Sequence, residues 1–374
     1  MPAVPAQPLR LLGVGNARSI NFLRWGWRLA ERGHEVHVVS DRLSERPSEL
    51  EGLVVHNVRE LGISTRVRGV RRLTIPGAIA GLARRLDVDV VQAHYMLPYG
   101  YWTARAGVHP FVLSPWGTDV LIDARRPGRG RRRARFAVAA ADWFVVNSRV
   151  NERATVGLGA DPRKIDRIVW YAELDRFSPD RNDPGLRARL GWPDDALLVL
   201  SLRNFRPDTN LDLVLRAFAD VARREPRARL LLAARAGPLR AAIDSLVDEL
   251  DLRRVVAIAF VSREDLPNVV ASADLVVSVT NSDSTPASLL EAMASGLPAV
   301  CAVAPSIDEW VAQDDGAELV PPRDADALAA ALLKLLRDPE LRRRYGERNE
   351  RFVRSQLPDP GAELERLYRD LVAR

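Results

Sequence analysis

The chain has 374 residues, one cysteine, and 55 Lys+Arg against 49 Asp+Glu, a formal net charge of +6. That length accommodates two domains with cores of their own, and a lone Cys301 excludes both an intrachain disulfide framework and a cysteine-built metal site. No run approaches the roughly 18 apolar residues that a membrane span requires, and MPAVPAQPLR lacks an apolar signal core, so a cytoplasmic protein is expected.

In chain order, strand-length apolar runs alternate with amphipathic, helix-length segments, the pattern of a parallel α/β architecture. The first predicted strand, Leu9 to Val14, runs into GVGNARS, where Gly13 and Gly15 precede a helix expected to begin near Ser19. Glycines at such a turn let a substrate approach the backbone, or make a plain tight turn. Predicted strands follow at Glu35 to Val39, Leu53 to Val58 and Val88 to Gln92. His94 comes just after the last of these, where ligands gather beyond the carboxyl ends of parallel strands. An imidazole there can orient an acceptor hydroxyl or transfer a proton, whereas His34, His37 and His56 read as structural. The strand Phe111 to Ser114 leads into a turn holding Trp116, Gly117 and Asp119.

Residues 1–180 hold 28 Lys+Arg against 18 Asp+Glu, and the remainder 27 against 31. Seven arginines, Arg125, Arg126, Arg129, Arg131, Arg132, Arg133 and Arg135, fall in one acid-free stretch broken by Pro127, Gly128 and Gly130. This reads as a basic loop, either simply solvated or attracting an anionic acceptor or the surface of an anionic membrane. The cluster lacks interleaved aromatics, so nucleic acid is not an expected partner.

After the strand Trp143 to Asn147, a polar stretch from Ser178 to Pro193 separates the two halves. The second half repeats the alternation, with strands at Leu197 to Leu202, Ala228 to Ala233, Val255 to Phe260, Leu275 to Val279 and Ala299 to Val303. LSLRNFRPDTN follows the first of them, and the charged segment from Pro360 onward is expected to be a helix.

The densest chemistry lies in SDSTPASLLEAMASGLPAV, Ser282 to Val300. Thr285 suits an N-cap, Pro286 the first helical position, and Gly296 with Pro298 the helix end. Glu291 then lies inside a short helix, sharing a face with Ala287, Ser288, Ala294 and Ser295, while Leu289 and Met293 point away. A carboxylate among small side chains, near a helix N-terminus with unpaired N–H groups, suits a nucleotide.

This segment closely resembles the donor site of the family-four glycosyltransferases, whose fold is the two-lobed GT-B architecture. The resemblance extends through LLGVGNARSINFLRWGWRLAERGHEVHVVSD, AHYMLPYGYW and VWYAELDRFSPD. It implies two Rossmann-like parallel-sheet lobes facing each other across a cleft: residues 1–175 on the acceptor side, 176–355 on the sugar-nucleotide side, and 356–374 packing back on the first lobe. It also implies retaining, metal-independent transfer of a sugar from a nucleoside-diphosphate sugar to an acceptor hydroxyl, with the donor phosphate helping to deprotonate the acceptor. Carried over position by position, Glu291 holds the ribose and Asp283 the hydroxyls of the transferred sugar. Backbone amides of Ser288, Leu289 and Leu290 face the phosphates. Arg203 neutralises the diphosphate, Gly15 forms a phosphate-facing turn, and His94 stands on the acceptor side.

The chain departs from the family pattern at several positions. Trp116 replaces a usual His, so Asp119 or His94 would have to compensate. Thr209 replaces a usual Lys, for which Arg206 is the natural substitute. Asp283 replaces a usual Glu, Tyr171 a Gly and Glu173 an Asp. Three other readings stay open: a nucleotide-sugar epimerase, a silent binding protein of the same fold, and an NAD-dependent oxidoreductase built on Gly13, Gly15 and Asp41. The last lacks its third glycine, since Arg18 stands there.

Overall fold

Buried runs such as VVQAH and FVLS cannot alternate polar with apolar residues, because helices cover both faces of a parallel sheet. The computed structural model describes residues 7–45, 47–58, 61, 68–124, 128–234, 237–281 and 285–374, without the side chains of 48, 49 and 68–73. The chain divides into two compact units, Met1–Tyr171 with Asp359–Arg374, and Ala172–Pro358.

The first unit holds β1 (Arg10–Val14), β2 (Glu35–Ser40), β3 (Val54–Asn57), β4 (Val90–His94), β5 (Phe111–Ser114), β6 (Trp143–Val146) and β7 (Ile165–Arg167) in the order β3-β2-β1-β4-β5-β6-β7. Leu12 of β1 sits between His37 of β2 and Val91 of β4, all parallel. The order reverses between β1 and β4, so the loops leaving these neighbours diverge and open a crevice at their carboxyl ends. The helix Ile20–Glu31 begins after an extended Ser19 and buries Phe22, Leu23, Trp25 and Leu29. The C-terminal helix Pro360–Val372 belongs to this unit. Asp359 caps it by accepting from the Gly361 and Ala362 amides, with Pro360 in the first turn. Its Tyr368 hydroxyl accepts from Trp25 Nε1 at 2.8 Å and donates to Gln92 Oε1, fully buried.

The second unit holds β8 (Leu197–Ser201), β9 (Ala228–Ala233), β10 (Val256–Ala259), β11 (Leu275–Ser278), β12 (Ala299–Ala302), β13 (Ala312–Gln313) and β14 (Gly316–Val320), in the order β10-β9-β8-β11-β12-β14-β13. Here the reversal falls between β8 and β11, joined by Leu275–Val199 and Val276–Leu200 pairing. The helix Leu211–Arg224 buries Leu211, Val214, Leu215, Phe218 and Val221, one helical stripe, into this unit's core. The helix Pro339–Gln356 fits so closely that a Cβ on Gly346 would stand 2.0 Å from the Gly296 carbonyl oxygen. β7, β13 and β14 were not expected from the sequence. The three residues of β7, Ile-Asp-Arg, and the Gly and Glu of β14 break the apolar runs that mark the other strands.

The arginine cluster also differs from expectation. From Arg129 onward it is not a loop but the helix Arg129–Ala140, started by Gly128 at φ 118° and held by burial of Ala134, Ala137 and Val138. Gly130 lies in its first turn, where glycine costs little. Arg125 and Arg126 lie outside the described residues.

Candidate active site

In the second unit, the crevice is built by the loops after β8 and β11. Arg203, half-buried, donates from Nε to Ser278 Oγ at 2.8 Å and so bridges the two strands at the reversal. Its positive charge opposes, without overcoming, the burial that pushes the Cys301 thiol up to about 12 at β12. Asn210, in the left-handed region at φ 50°, donates to Val279 O and Asn281 Oδ1, both at 2.7 Å, and the Asn281 amide donates to Asp208 O at 3.0 Å. The two loops are thereby tied together. Asp283 itself lies outside the described residues.

Thr209 is buried, with its hydroxyl 2.7 Å from Arg206 O and 2.9 Å from Asn204 O, and it closes the turn Pro207–Thr209. Arg206, the residue expected to stand in for the missing lysine, is exposed, pairs with Asp208 at 2.9 Å, and lines a cavity of about 260 Å³ with Phe205, Asp212, Arg216 and Leu246. Arg203 is the cation that the β8 loop turns toward the strand reversal.

The helix after β11 spans Ala287–Ala294, one residue later than the sequence suggests, because Pro286 takes the cap position with an extended ψ of 99° and Thr285 precedes it. The Pro286 carbonyl accepts from the amides of Leu289 and Leu290, at 2.9 and 3.1 Å. Those two N–H groups are therefore used within the helix, and the amides ahead of the ladder belong to Ala287 and Ser288. Leu289, Leu290, Ala292 and Met293 are all buried, so the helix is enclosed on more than one side. Glu291 is 3% exposed, a carboxylate enclosed one turn into the helix, with half-buried Ser288 beside it. At the other end Arg354 Nη2 donates to Ala294 O at 3.1 Å and Phe177 O at 2.8 Å, placing a cation on the negative end of the helix dipole.

The first unit brings together an aromatic cluster at the β1/β4 reversal. His94, the last residue of β4, is 1% exposed and ringed by Phe22 and Trp25 at 4.9 Å between centroids, Trp170 at 5.5 Å and Trp116 at 5.9 Å. Burial pushes its pKa down to about 3, so the ring is neutral at physiological pH and cannot serve as a ready proton donor. The glycines of GVGNARS owe their presence to the same rings. A Cβ on Gly13 would meet Trp25 at 2.4 Å and one on Gly15 would meet Phe22 at 2.9 Å, so the packing of these rings by itself calls for glycine at both positions.

Asp119, expected as one of two residues to compensate for the missing histidine, is held by backbone amides. It is fully buried, with Oδ2 accepting from the Met96 amide at 2.6 Å and Oδ1 from the Trp116 and Gly117 amides at 3.0 and 2.9 Å. Burial raises its pKa against the pull of those backbone N–H groups. With both oxygens occupied, it clamps the turn after β5 to the chain leaving β4. Asn147 completes the clamp by donating to Trp116 O at 3.2 Å and to the Tyr171 hydroxyl at 2.9 Å. Ser278, Asn210, Trp25, Trp170 and Asn147 escaped the sequence reading. Asn210 alone carried a local signal, as the asparagine that best tolerates a left-handed turn before a helix.

Residues 182–352 match the family described as glycosyl transferases group 1, and residues 10–148 match glycosyl transferase 4-like. A D-inositol 3-phosphate glycosyltransferase of Kineococcus radiotolerans is 32% identical over 93% of this chain and 89% of its own. An N-acetyl-alpha-D-glucosaminyl L-malate synthase of Bacillus anthracis is 26% identical, over 93% of this chain and 92% of its own. Among solved structures, Anabaena HepE in complex with UDP and glucose is similar with a TM-score of 0.81 at 17% identity, covering 98% of this chain and all of that one. A sucrose-phosphate synthase from Thermosynechococcus elongatus follows with 0.78 at 20%, covering 97% and 99%.

Proposed function

The chain belongs to the group 1 glycosyl transferases and has the GT-B fold, and from that premise we propose that it moves a sugar from UDP to a hydroxyl of a small anionic acceptor, with retention of configuration. The observation that supports this most is Glu291, enclosed at the exit of β11, beside the strand reversal that Arg203 bridges. In this reading Glu291 accepts hydrogen bonds from both ribose hydroxyls, and the amides of Ala287 and Ser288 meet the phosphates at the positive end of the helix dipole. Arg203 stabilises the charge that develops on the departing diphosphate. Asp283 is assigned the sugar hydroxyls by family pattern alone, and Gly15 keeps its phosphate-facing role only on the side of its Cα away from Phe22.

UDP comes from the HepE complex, and the anionic acceptor from the two relatives, named for inositol 3-phosphate and L-malate. The excess of arginine in residues 1–180 would raise the local concentration of such an acceptor. The reaction proceeds without a resident metal in this proposal, as in the family. The bond from the anomeric carbon to phosphate breaks, the acceptor oxygen takes that carbon from the same face, and the acceptor proton passes to the departing phosphate.

The test is calorimetric titration of UDP into the wild type and Glu291→Gln. Loss of charge-assisted hydrogen bonds worth about 1.5–3 kcal/mol weakens binding about tenfold or more, with unchanged melting of the free protein. Unchanged affinity would place the ribose elsewhere. Binding with no turnover of any acceptor would favour the silent reading, and an altered, untransferred sugar the epimerase.

A second partner is supported by the helix Arg129–Ala140, which exposes Arg129, Arg131, Arg132 and Arg135 beside Phe136, itself 48% exposed. Among the described residues no helix is long and apolar enough to cross a membrane. We assign this face to peripheral contact with an anionic bilayer, each arginine contributing about 1 kcal/mol near the surface. Sedimentation with phosphatidylglycerol vesicles, lost in high salt and in the Arg131→Glu/Arg132→Glu double variant, is the expected result; binding indifferent to both contradicts it.

A further inference from the structure

The cavity of about 260 Å³ beside Arg206 has no part in the transfer described above. It lies between the helix Leu211–Arg224 and the helix Arg240–Glu249, over a floor of Phe205, Leu211, Ile243 and Leu246, all buried. That floor is firmly held. Phe205 O accepts from the Leu239 amide at 3.0 Å, a Cβ on Gly237 would stand 2.2 Å from the same oxygen, and the Arg240 guanidinium lies over the phenyl ring at 5.2 Å. An apolar cavity of about 150 Å³ takes up benzene, so this one has room for a ring or a branched chain with a polar head.

Its rim carries charges that the chain leaves unmatched. Asp212 and Arg216 are four residues apart on one helix with the acid first, a spacing and order that favour an ion pair. Elsewhere the same arrangement closes: Asp220 with Arg224 at 2.9 Å, Glu350 with Arg354 at 3.1 Å, and Glu365 with Arg369 at 2.8 Å. Among the described residues, Asp212 and Arg216 form no ion pair or hydrogen bond with each other or with any other side chain, although both line the cavity. Glu249, on the second helix, lines it too and is likewise unpaired. An apolar floor is thus bordered by one exposed cation and two exposed acids.

We infer that this cavity binds a free amino acid with a large apolar side chain. The side chain fills the floor, the carboxylate accepts charge-assisted hydrogen bonds from Arg216, and the ammonium donates to Asp212 and Glu249. Side chains four apart on a helix have Cβ atoms about 5–6 Å from each other, and a single carbon separates the two charges of an amino acid, so one zwitterion spans the open pair. A plain carboxylate leaves both acids unmatched, and a plain amine leaves Arg216 unmatched. The occupant rests on Phe205 and Leu211, which flank the turn Pro207–Thr209, and Asn210 beside that turn holds Val279 O and Asn281. Bracing the turn steadies the loop that carries Arg203, so the amino acid tightens UDP binding, and UDP tightens amino-acid binding by the same factor. This coupling rests on the donor reading; the site does not.

Calorimetric titration of the whole chain with L-phenylalanine, L-leucine and L-tryptophan tests the site. Phenylpropionate, phenethylamine and glycine serve as probes that lack the ammonium, the carboxylate and the apolar body in turn. The best of the three amino acids should bind about tenfold or more tightly than any of these probes. Arg216→Gln removes the cation, and Ala242→Phe puts a ring into the cavity from an exposed helix position. Each should weaken the amino acid about tenfold or more while the free proteins melt as the wild type does. Failure of all three amino acids to bind would overturn the site, as would binding that both variants leave untouched. Phenylpropionate binding as well as phenylalanine would show that the acids are not read, and would overturn the zwitterion.

UDP titrations with and without the saturating amino acid read the coupling. UDP should bind about fivefold or more tightly in its presence, and the gain should vanish in Ala242→Phe. Equal UDP affinities with the amino acid bound would overturn the coupling. If UDP does not bind the wild type at all, the donor reading fails, and the amino-acid titrations still decide the site.

Discussion

His94 carries a pH dependence whose sign follows from its burial. Its pKa falls from the ordinary 6.5 to about 3 on folding, so the unfolded chain binds the proton more tightly. Stability is then lost as pH drops below about 6.5 and continues to fall toward about 3, amounting to about 2 kcal/mol by pH 5. Urea midpoints of the wild type and His94→Leu, measured from pH 7.5 to 5, check this: the difference between them should grow with acidity, and parallel curves would contradict it. Gly15 supplies a second case. Alanine there would press its Cβ to 2.9 Å from the ring of Phe22, which is fully buried and has nowhere to go. The expected loss is about 1–3 kcal/mol, read from the same urea curves. Residue types were legible in the sequence at these places, but their reasons were not. Nothing local in GVGNARS shows that Phe22 and Trp25 fold back over it, and nothing in SPWGTD shows both oxygens of Asp119 consumed by backbone amides.

At the scale of elements, boundaries set by backbone chemistry were readable and partnerships were not. The start at Ser19, the helix from Pro360 and most strands follow from caps and apolar runs. The arginine stretch was misread as a loop because its glycines and proline stood out, while three small or apolar residues, Ala134, Ala137 and Val138, sufficed to anchor a helix. The C-terminal helix gives the element-scale prediction. Tyr368→Phe strips a partner from both Trp25 Nε1 and Gln92 Oε1 in a fully buried chain of bonds. The first unit should lose about 2–4 kcal/mol in its urea transition, while UDP affinity, which belongs to the other unit, stays as it was. A variant as stable as the wild type would show that the helix is held by its apolar face alone.

For the whole molecule, the repeated topology explains why function concentrates where it does. Each unit reverses its strand order once, β1 against β4 and β8 against β11, and the residues of interest leave the strands at those two places. The alternation of apolar runs made two parallel α/β halves legible, and the family match of SDSTPASLLEAMASGLPAV made the second half's chemistry legible. The sugar end resisted, because Trp116, Thr209 and Asp283 all differ from the family pattern and their consequences depend on packing. Thr209 turns out to close a turn and Trp116 to cap an imidazole, neither of which a substitution pattern conveys. The central claim, retaining transfer from UDP to an anionic hydroxyl compound, is tested most directly by proton NMR of the product formed from UDP-α-glucose or UDP-α-N-acetylglucosamine with inositol phosphate or malate as acceptor. The account predicts an α-linked glycoside released together with UDP in a chelator-treated reaction. A β-linked product, or oxidation of the acceptor with NAD in place of transfer, would contradict it.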